Sequence, residues 1–194
     1  MVGNTPKSFF HHLSKPRAIG VFHFLLLNTG YFILDIMKII SIDPGYERVG
    51  IAIIEKEDGQ KEKLVYSDCF KTSAKLPLTE RLFLIGQEVD EIIKKYKPEA
   101  LAIETLFFTS NQKTVMGVSE ARGVIMYQAL LNQIPVFEYT PLQIKIAVTG
   151  YGRGDKKQVT EMVTRLIKIE KEIKHDDEYD AIAVGLTHLA SHRN

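Results

Sequence analysis

The chain has 194 residues, 45% of them hydrophobic, enough for one domain with a sizeable core. Its 25 Lys plus Arg stand against 24 Asp plus Glu, a formal charge of +1, so global charge does not advertise a nucleic-acid partner and any such signal has to be local. The single Cys69 excludes an internal disulfide and a cysteine-rich zinc site, fits a reducing cytosol, and reads as a small apolar strand residue.

Residues 1–36 differ in character from the rest of the chain. They hold Lys7, Lys15 and Arg17 against one acid, Asp35, and an apolar patch over 18–34 broken by His23, Asn28, Thr29 and Gly30. The patch is too short and interrupted for a membrane span, and no small-residue cleavage site lies at a suitable distance after it. Met37 stands directly before the first strong strand. Residues 1–36 are therefore expected to be an N-terminal extension from an upstream start codon, poorly ordered or loosely docked, with 37–194 as the folded domain and no membrane partner.

From Met37 the pattern is regular. Two apolar runs, 39–42 and 49–54, flank Asp43, Pro44 and Gly45, as strands joined by a tight turn do. After a charged turn at 55–63, a third strand is predicted around 64–70. Residues 76–96 carry a helical stripe of Leu82, Ile85, Val89, Ile92 and Ile93, closed by Lys97 and Pro98. A short strand over 100–103 ends at Glu104. Helices are predicted at 111–131, 142–148, 155–169 and 176–192, with a fifth strand at 134–139. In the helix over 111–131, Val115, Val118, Arg122 and Ile125 are expected to face outward while Met116, Ala121 and Val124 face the sheet. The order gives an α/β fold: a five-stranded mixed sheet, three strands in an antiparallel meander plus two parallel strands, with the first strand central and helices on both faces.

The acids can be placed on this frame. Asp43 and Glu104 each end an apolar strand, and a right-handed crossover lays the fourth strand parallel to the first, so the two carboxylates are expected at one sheet edge. Asp43 can also simply start an Asp-Pro-Gly turn. In the last helix the i, i+3 spacing puts Asp177 and Asp180 on one face. Asp176 and Glu178 are better explained as complements to the helix dipole. Four converging carboxylates repel one another unless a cation neutralises them. All-oxygen ligands favour Mg²⁺ or Mn²⁺, and two such ions can activate water against a phosphodiester.

Several ordered motifs then carry a family resemblance. Ile42-Asp43-Pro44-Gly45 with Gly50, Ile103-Glu104 followed by Phe107 and Phe108, Ser119-Glu120-Ala121-Arg122-Gly123, Pro135-Val136-Phe137-Glu138-Tyr139, and Asp177 with Asp180-Ala181 and Thr187-His188 closely resemble the RuvC family of bacterial Holliday junction resolvases. The likeness runs over about 37–188. It implies a ribonuclease H-like fold, a cytoplasmic homodimer, two Mg²⁺ per site, paired nicks in four-way DNA junctions during recombination and repair, and cooperation with RuvA and RuvB, the branch-migration proteins. The family's four catalytic, metal-holding acids fall on Asp43, Glu104, Asp177 and Asp180, with a one-residue ambiguity between Asp176 and Asp177. Some members of the family have His at the position of Asp177. Phe107 matches an aromatic that wedges into the junction, and Phe108 is its neighbour; aromatics that unstack bases are a known device. Phe108 also suits packing under the second helix.

A basic cluster lies where DNA would run. Over residues 145–168, Lys145, Arg153, Lys156, Lys157, Arg165 and Lys168 outnumber Asp155 and Glu161, and such an excess suits a phosphate backbone. Lys145, Arg153, Lys156 and Lys157 are the expected DNA contacts, with Lys145 and Lys156 matching basic family positions; Arg165 and Lys168 read as a solvated helix face. Gly150, Gly152 and Gly154 make a pliant loop, and Asp155 is a candidate N-cap. Three other readings stand beside this one. Another ribonuclease H-like nuclease, acting on RNA/DNA hybrid or an rRNA precursor, would use the same carboxylates. A non-catalytic junction-binding module would not need them all. An ATP-binding kinase of the actin and sugar kinase class also begins with Asp-x-Gly on a hairpin, but requires a second glycine-rich phosphate loop that the sequence lacks.

Overall fold

The computed structural model describes residues 36–106 and 112–192, the side chains of residues 112–114 excepted. The elements run β1 (Ile36–Asp43), β2 (Arg48–Glu57), β3 (Lys63–Lys71), α1 (Leu78–Tyr96), β4 (Ala100–Glu104), α2 (Gln112–Leu131), β5 (Val136–Tyr139), α3 (Pro141–Thr149), α4 (Lys156–Leu166) and α5 (Asp176–Ser191). The sheet order is β3-β2-β1-β4-β5, with β1 antiparallel to β2, β2 antiparallel to β3, and β4 parallel to both β1 and β5. This is the expected ribonuclease H-like arrangement, with β1 central. The expected boundary at residue 36 falls one residue late, because Ile36 already pairs with Glu57 in the β1–β2 ladder; residues 1–35 lie outside the described residues.

Strand alternation divides the core between two faces. Ile40, Ile42, Ile51, Ile53 and Leu101 pack with Ile85 and Val89 of α1 and Ile125 of α2. Ile39, Ala52, Ile54, Ala100 and Ala102 pack on the other side with Ala181, Ile182 and Val184 of α5 and with Val159 and Val163 of α4. Helix α5 is buried along most of its length. It lies close on the sheet: a Cβ on Gly185 would stand 2.6 Å from Ser41 Oγ and 2.7 Å from the end of Ile54. Among the described residues no helix is long and apolar enough to cross a membrane.

Two expectations are corrected. In α2, Gly117, Ala121, Ile125 and Ala129 are the buried i, i+4 stripe, with Ile125 at 0% exposure, whereas Met116 is 65% exposed. Ile125 thus faces the sheet and Met116 faces outward, the reverse of the expected faces. Valines, alanines and methionines surround this helix, so apolar spacing does not pick one side. Helix α4 ends at Leu166 rather than 169. Ile167 turns extended (φ −130°, ψ 140°) and is 2% exposed, so burial of its side chain ends the helix, and Lys168 bridges to Lys63 beside the sheet.

Candidate active site

Period-two alternation and register build the first half of the site. Ile39, Ser41 and Asp43 point to the α5 face, as do Ala100, Ala102 and Glu104. Because Ile42 pairs with Ile103 in the parallel ladder, the next step sets Asp43 beside Glu104 at the strand ends. A cleft of about 170 Å³, lined by Asp43, Pro44, Glu104, Thr105, Leu106 and Pro141, opens directly over them.

Helix α5 supplies the second half, and Gly50 lets it approach. Gly50 is the ladder partner of Asp43, and a Cβ there would lie 1.9 Å from the Asp177 carbonyl oxygen. Any side chain at this position would push the first turn of α5 away from the strand ends. That turn starts at Asp176, so Asp177 and Asp180 stand one helical step apart above Asp43. Helix α4 begins alongside. Asp155 is its N-cap as expected, its carboxylate accepting from the Gln158 amide at 2.8 Å in a reciprocal capping box, and the next residue is Lys156.

The electrostatics are those of crowded anions. Burial, then the charges of Glu104, Asp180 and Asp177, hold the Asp43 carboxyl well above the usual carboxylate range. Glu104 is pushed up to about 7 by burial and by Asp180, with Lys156 and Lys145 pulling the other way. Among the described residues neither side chain has an ion-pair partner. Lys156 Nζ bridges Asp176 at 2.6 Å and Asp180 at 2.8 Å. Burial opposes the Lys156 charge, but these bonds hold its ammonium above the usual lysine range. The two acids respond differently to one lysine. Asp180 stays raised because burial outweighs the bond, whereas Asp176, its side chain 51% exposed, is lowered by it.

The four predicted acids therefore converge, as the mutual repulsion at Asp43 records. Asp177 has a cation of its own: Arg48 Nε lies 3.2 Å from its Oδ2. Lys145 acts on Glu104 from α3, while Arg153 and Lys157 are exposed beside the start of α4. Arg165 is also exposed, whereas Lys168 pairs with Glu170 beyond the helix end. Phe107 and Phe108 lie outside the described residues. Glu178 lies in the first turn of α5, as a dipole complement should, and it is also tied to its neighbours. Its side chain is 6% exposed, accepting from Ser67 Oγ at 3.0 Å and pairing with Lys171 at 2.6 Å.

Two arginines escaped the sequence reading. Arg122 pairs with Glu138 and donates to the Glu104 carbonyl at 3.2 Å, fixing the end of β4. The motif around Arg122 was visible without this role. Arg48 shares a strand face with Gly50, and period two would have placed it under α5 once that face was known.

Known proteins resemble the chain closely. The family model described as "Crossover junction endodeoxyribonuclease RuvC" matches residues 39–188. A protein of that name from Fusobacterium nucleatum is 45% identical over 155 residues, covering 80% of this chain and 81% of its own length. One from Alkaliphilus metalliredigens is 45% identical over 155 residues, covering 80% and 94%. Among solved structures, Thermus thermophilus RuvC in complex with a Holliday junction substrate superposes with a TM-score of 0.75 at 30% identity, over 80% of this chain and 94% of that one. The yeast mitochondrial Holliday junction resolvase Ydc2 superposes at 0.61 with 12% identity over 79% and 78%, a likeness of fold alone.

Proposed function

Because the chain belongs to the RuvC family of crossover junction endodeoxyribonucleases, we propose that it is a Holliday junction resolvase, a metal-dependent endonuclease making paired, symmetric nicks in four-way DNA junctions. The observation that carries this reading is the pair of strand-end carboxylates. Asp43 and Glu104 stand at adjacent strand ends, lifted above the ordinary carboxylate range by burial and neighbouring anions, with no ion-pair partner among the described residues. A fold retains such unpaired, crowded anions at a cost, and a divalent cation is the natural counter-charge.

The donor set is entirely oxygen, which fits a hard ion. We assign Mg²⁺, two per site, with Mn²⁺ as a substitute, held by Asp43, Glu104, Asp177 and Asp180. When bound, such ions supply an activated water and counter-charge at the leaving oxygen of the phosphodiester. The chain's own residues do the placing. Asp43 and Glu104 are fixed by strand register, Asp177 and Asp180 by the close seat of α5 on Gly50. Lys156 bonds Asp180 and, with Lys145, acts on Glu104, so a scissile phosphate at these acids would meet cations. Arg153 and Lys157 extend that basic edge along the DNA backbone. Phe107 and Phe108, next in sequence after the Glu104 strand, are assigned to stacking against junction bases.

Cutting two opposed strands takes two sites related by a two-fold axis, so we assign a homodimer. The outward face of α2 suits its interface: Met116, Tyr127, Leu130 and Leu131 are each more than 60% exposed. Large exposed apolar residues along one helix are the mark of a partner surface. Recombination and repair in the cytoplasm, with RuvA and RuvB as branch-migration partners, complete the assignment.

The test uses three substrates of matched sequence: a synthetic four-way junction, a linear duplex and an RNA/DNA hybrid, each with and without Mg²⁺. Cleavage of the junction alone, only with Mg²⁺, is expected. Preferred cutting of the hybrid would point to a different nuclease of the same fold, and junction binding without cutting to a non-catalytic module.

A further inference from the structure

We propose that Cys69, His175 and Asp177 form a second metal site, one that takes a soft divalent ion of the Zn²⁺ or Co²⁺ class at the edge of the carboxylate cluster. One ligand atom from each residue lies within 4.8 Å of the other two. The placement follows from the fold. Cys69 is the β3 ladder partner of Gly50, the residue whose missing side chain admits the first turn of α5, and His175 immediately precedes that turn. Strand and helix end thus deliver a thiol, an imidazole and a carboxylate to one point.

The spacing and the donor chemistry agree. Cys69 Sγ stands 3.7 Å from Asp177 Oδ2. A tetrahedral zinc centre, with bonds of about 2.3 Å to sulfur and about 2.1 Å to oxygen, has an S···O edge of about 3.6 Å. Sulfur, nitrogen and oxygen donors together select zinc-like ions, whereas the neighbouring all-oxygen cluster selects Mg²⁺. Three protein ligands leave a fourth position for water. The thiol proton passes to solvent as the metal–sulfur bond forms.

Two cations stand where the ion's charge would be. Arg48 Nε is 3.2 Å from Asp177 Oδ2, and Lys71 Nζ is 2.6 Å from His175 Nε2. Both residues are exposed and carry long stems, so their heads can turn to solvent without disturbing the strands. Asp177 belongs to both clusters. A soft ion that engages Asp177 withdraws it from the Mg²⁺ set, so Zn²⁺ at this site inhibits cleavage; this consequence, unlike the site itself, rests on the proposed function.

The full chain, kept reduced, is titrated with Co²⁺. A thiolate-to-cobalt charge-transfer band rising to one equivalent is expected, and with one cysteine in the chain it has a single source. Cys69→Ser should abolish the band, and both Cys69→Ser and His175→Ala should weaken Zn²⁺ binding, read by competition with a chromophoric chelator, by about a hundredfold or more. Thermal melts establish that the variants fold. No band in the unsubstituted chain, or Zn²⁺ binding unchanged in Cys69→Ser, overturns the site. In Mg²⁺, stoichiometric Zn²⁺ should stop junction cleavage by the unsubstituted chain and spare Cys69→Ser; equal inhibition of both overturns the coupling. Failure to cleave junctions at all would refute the proposed function, and the cobalt band would still decide the site.

Discussion

Two adjacent acids, Asp176 and Asp177, differ in exposure and in partner. The Asp176 side chain is 51% exposed and bonded to Lys156, while the Asp177 side chain is 17% exposed and its charge reaches Asp43. Asp177→Asn is therefore expected to lower cleavage by about a hundredfold or more, the scale of removing a metal ligand, and Asp176→Asn by severalfold at most; initial rates on a labelled junction measure both, and the reverse order would contradict the assignment. Glu104 gives a second expectation, on stability without metal. Its folded carboxyl titrates near 7 against an ordinary 4.5, so the native state holds the proton more tightly than the unfolded chain. The penalty is then absent below about pH 4.5, grows as pH rises toward 7 and is complete above it. His188 acts in the opposite sense over much of this range. Burial, with His192 beside it, lowers it to about 4, so stability is lost as pH falls below its ordinary 6.5. Comparison with Glu104→Gln separates the two: in EDTA the variant should gain melting temperature over the unsubstituted chain by several degrees at pH 8 and by little at pH 5. A constant difference would contradict the crowding of anions at this site. The acids were legible in the sequence because each interrupts or follows an apolar run at a strand or helix end. Arg48 and His175 were not, since their meaning depends on which face of the sheet α5 covers.

Strands β1 and β4 could be read closely because period two and the parallel crossover leave few arrangements. Helix α5 was legible for a different reason: its acids precede a long apolar run that has to be buried. Helix α2 resisted, since apolar residues lie around most of its circumference, and only packing settles that Ile125 is inside and Met116 outside. That correction changes the dimer experiment. A charge at Ile125 would enter the core and unfold the domain, the fate of an unpaired buried carboxylate. Met116→Glu with Tyr127→Glu instead places charges on the exposed face. The double variant should melt within a few degrees of the unsubstituted chain, sediment as a monomer at micromolar concentration and lose paired nicking. A dimer that persists, with paired nicks intact, would put the interface elsewhere.

At the scale of the whole molecule, the fold works as a means of holding like charges together. A sheet buried on both faces fixes two carboxylates in register, a helix seated on a glycine brings two more, and Lys156 with Arg48 supplies partial relief. On the proposed assignment, losing one acid impairs chemistry without impairing DNA binding, because the cations assigned to phosphate are separate residues. The most direct measurement is a binding and cleavage gel on one synthetic four-way junction, comparing the unsubstituted chain with Asp43→Asn and Glu104→Gln in Mg²⁺. The unsubstituted chain should bind and nick two opposed strands, and both variants should bind at least as tightly and nick neither. Normal cleavage by either variant, or loss of binding together with cleavage in folded protein, would contradict the carboxylate cluster as the catalytic centre.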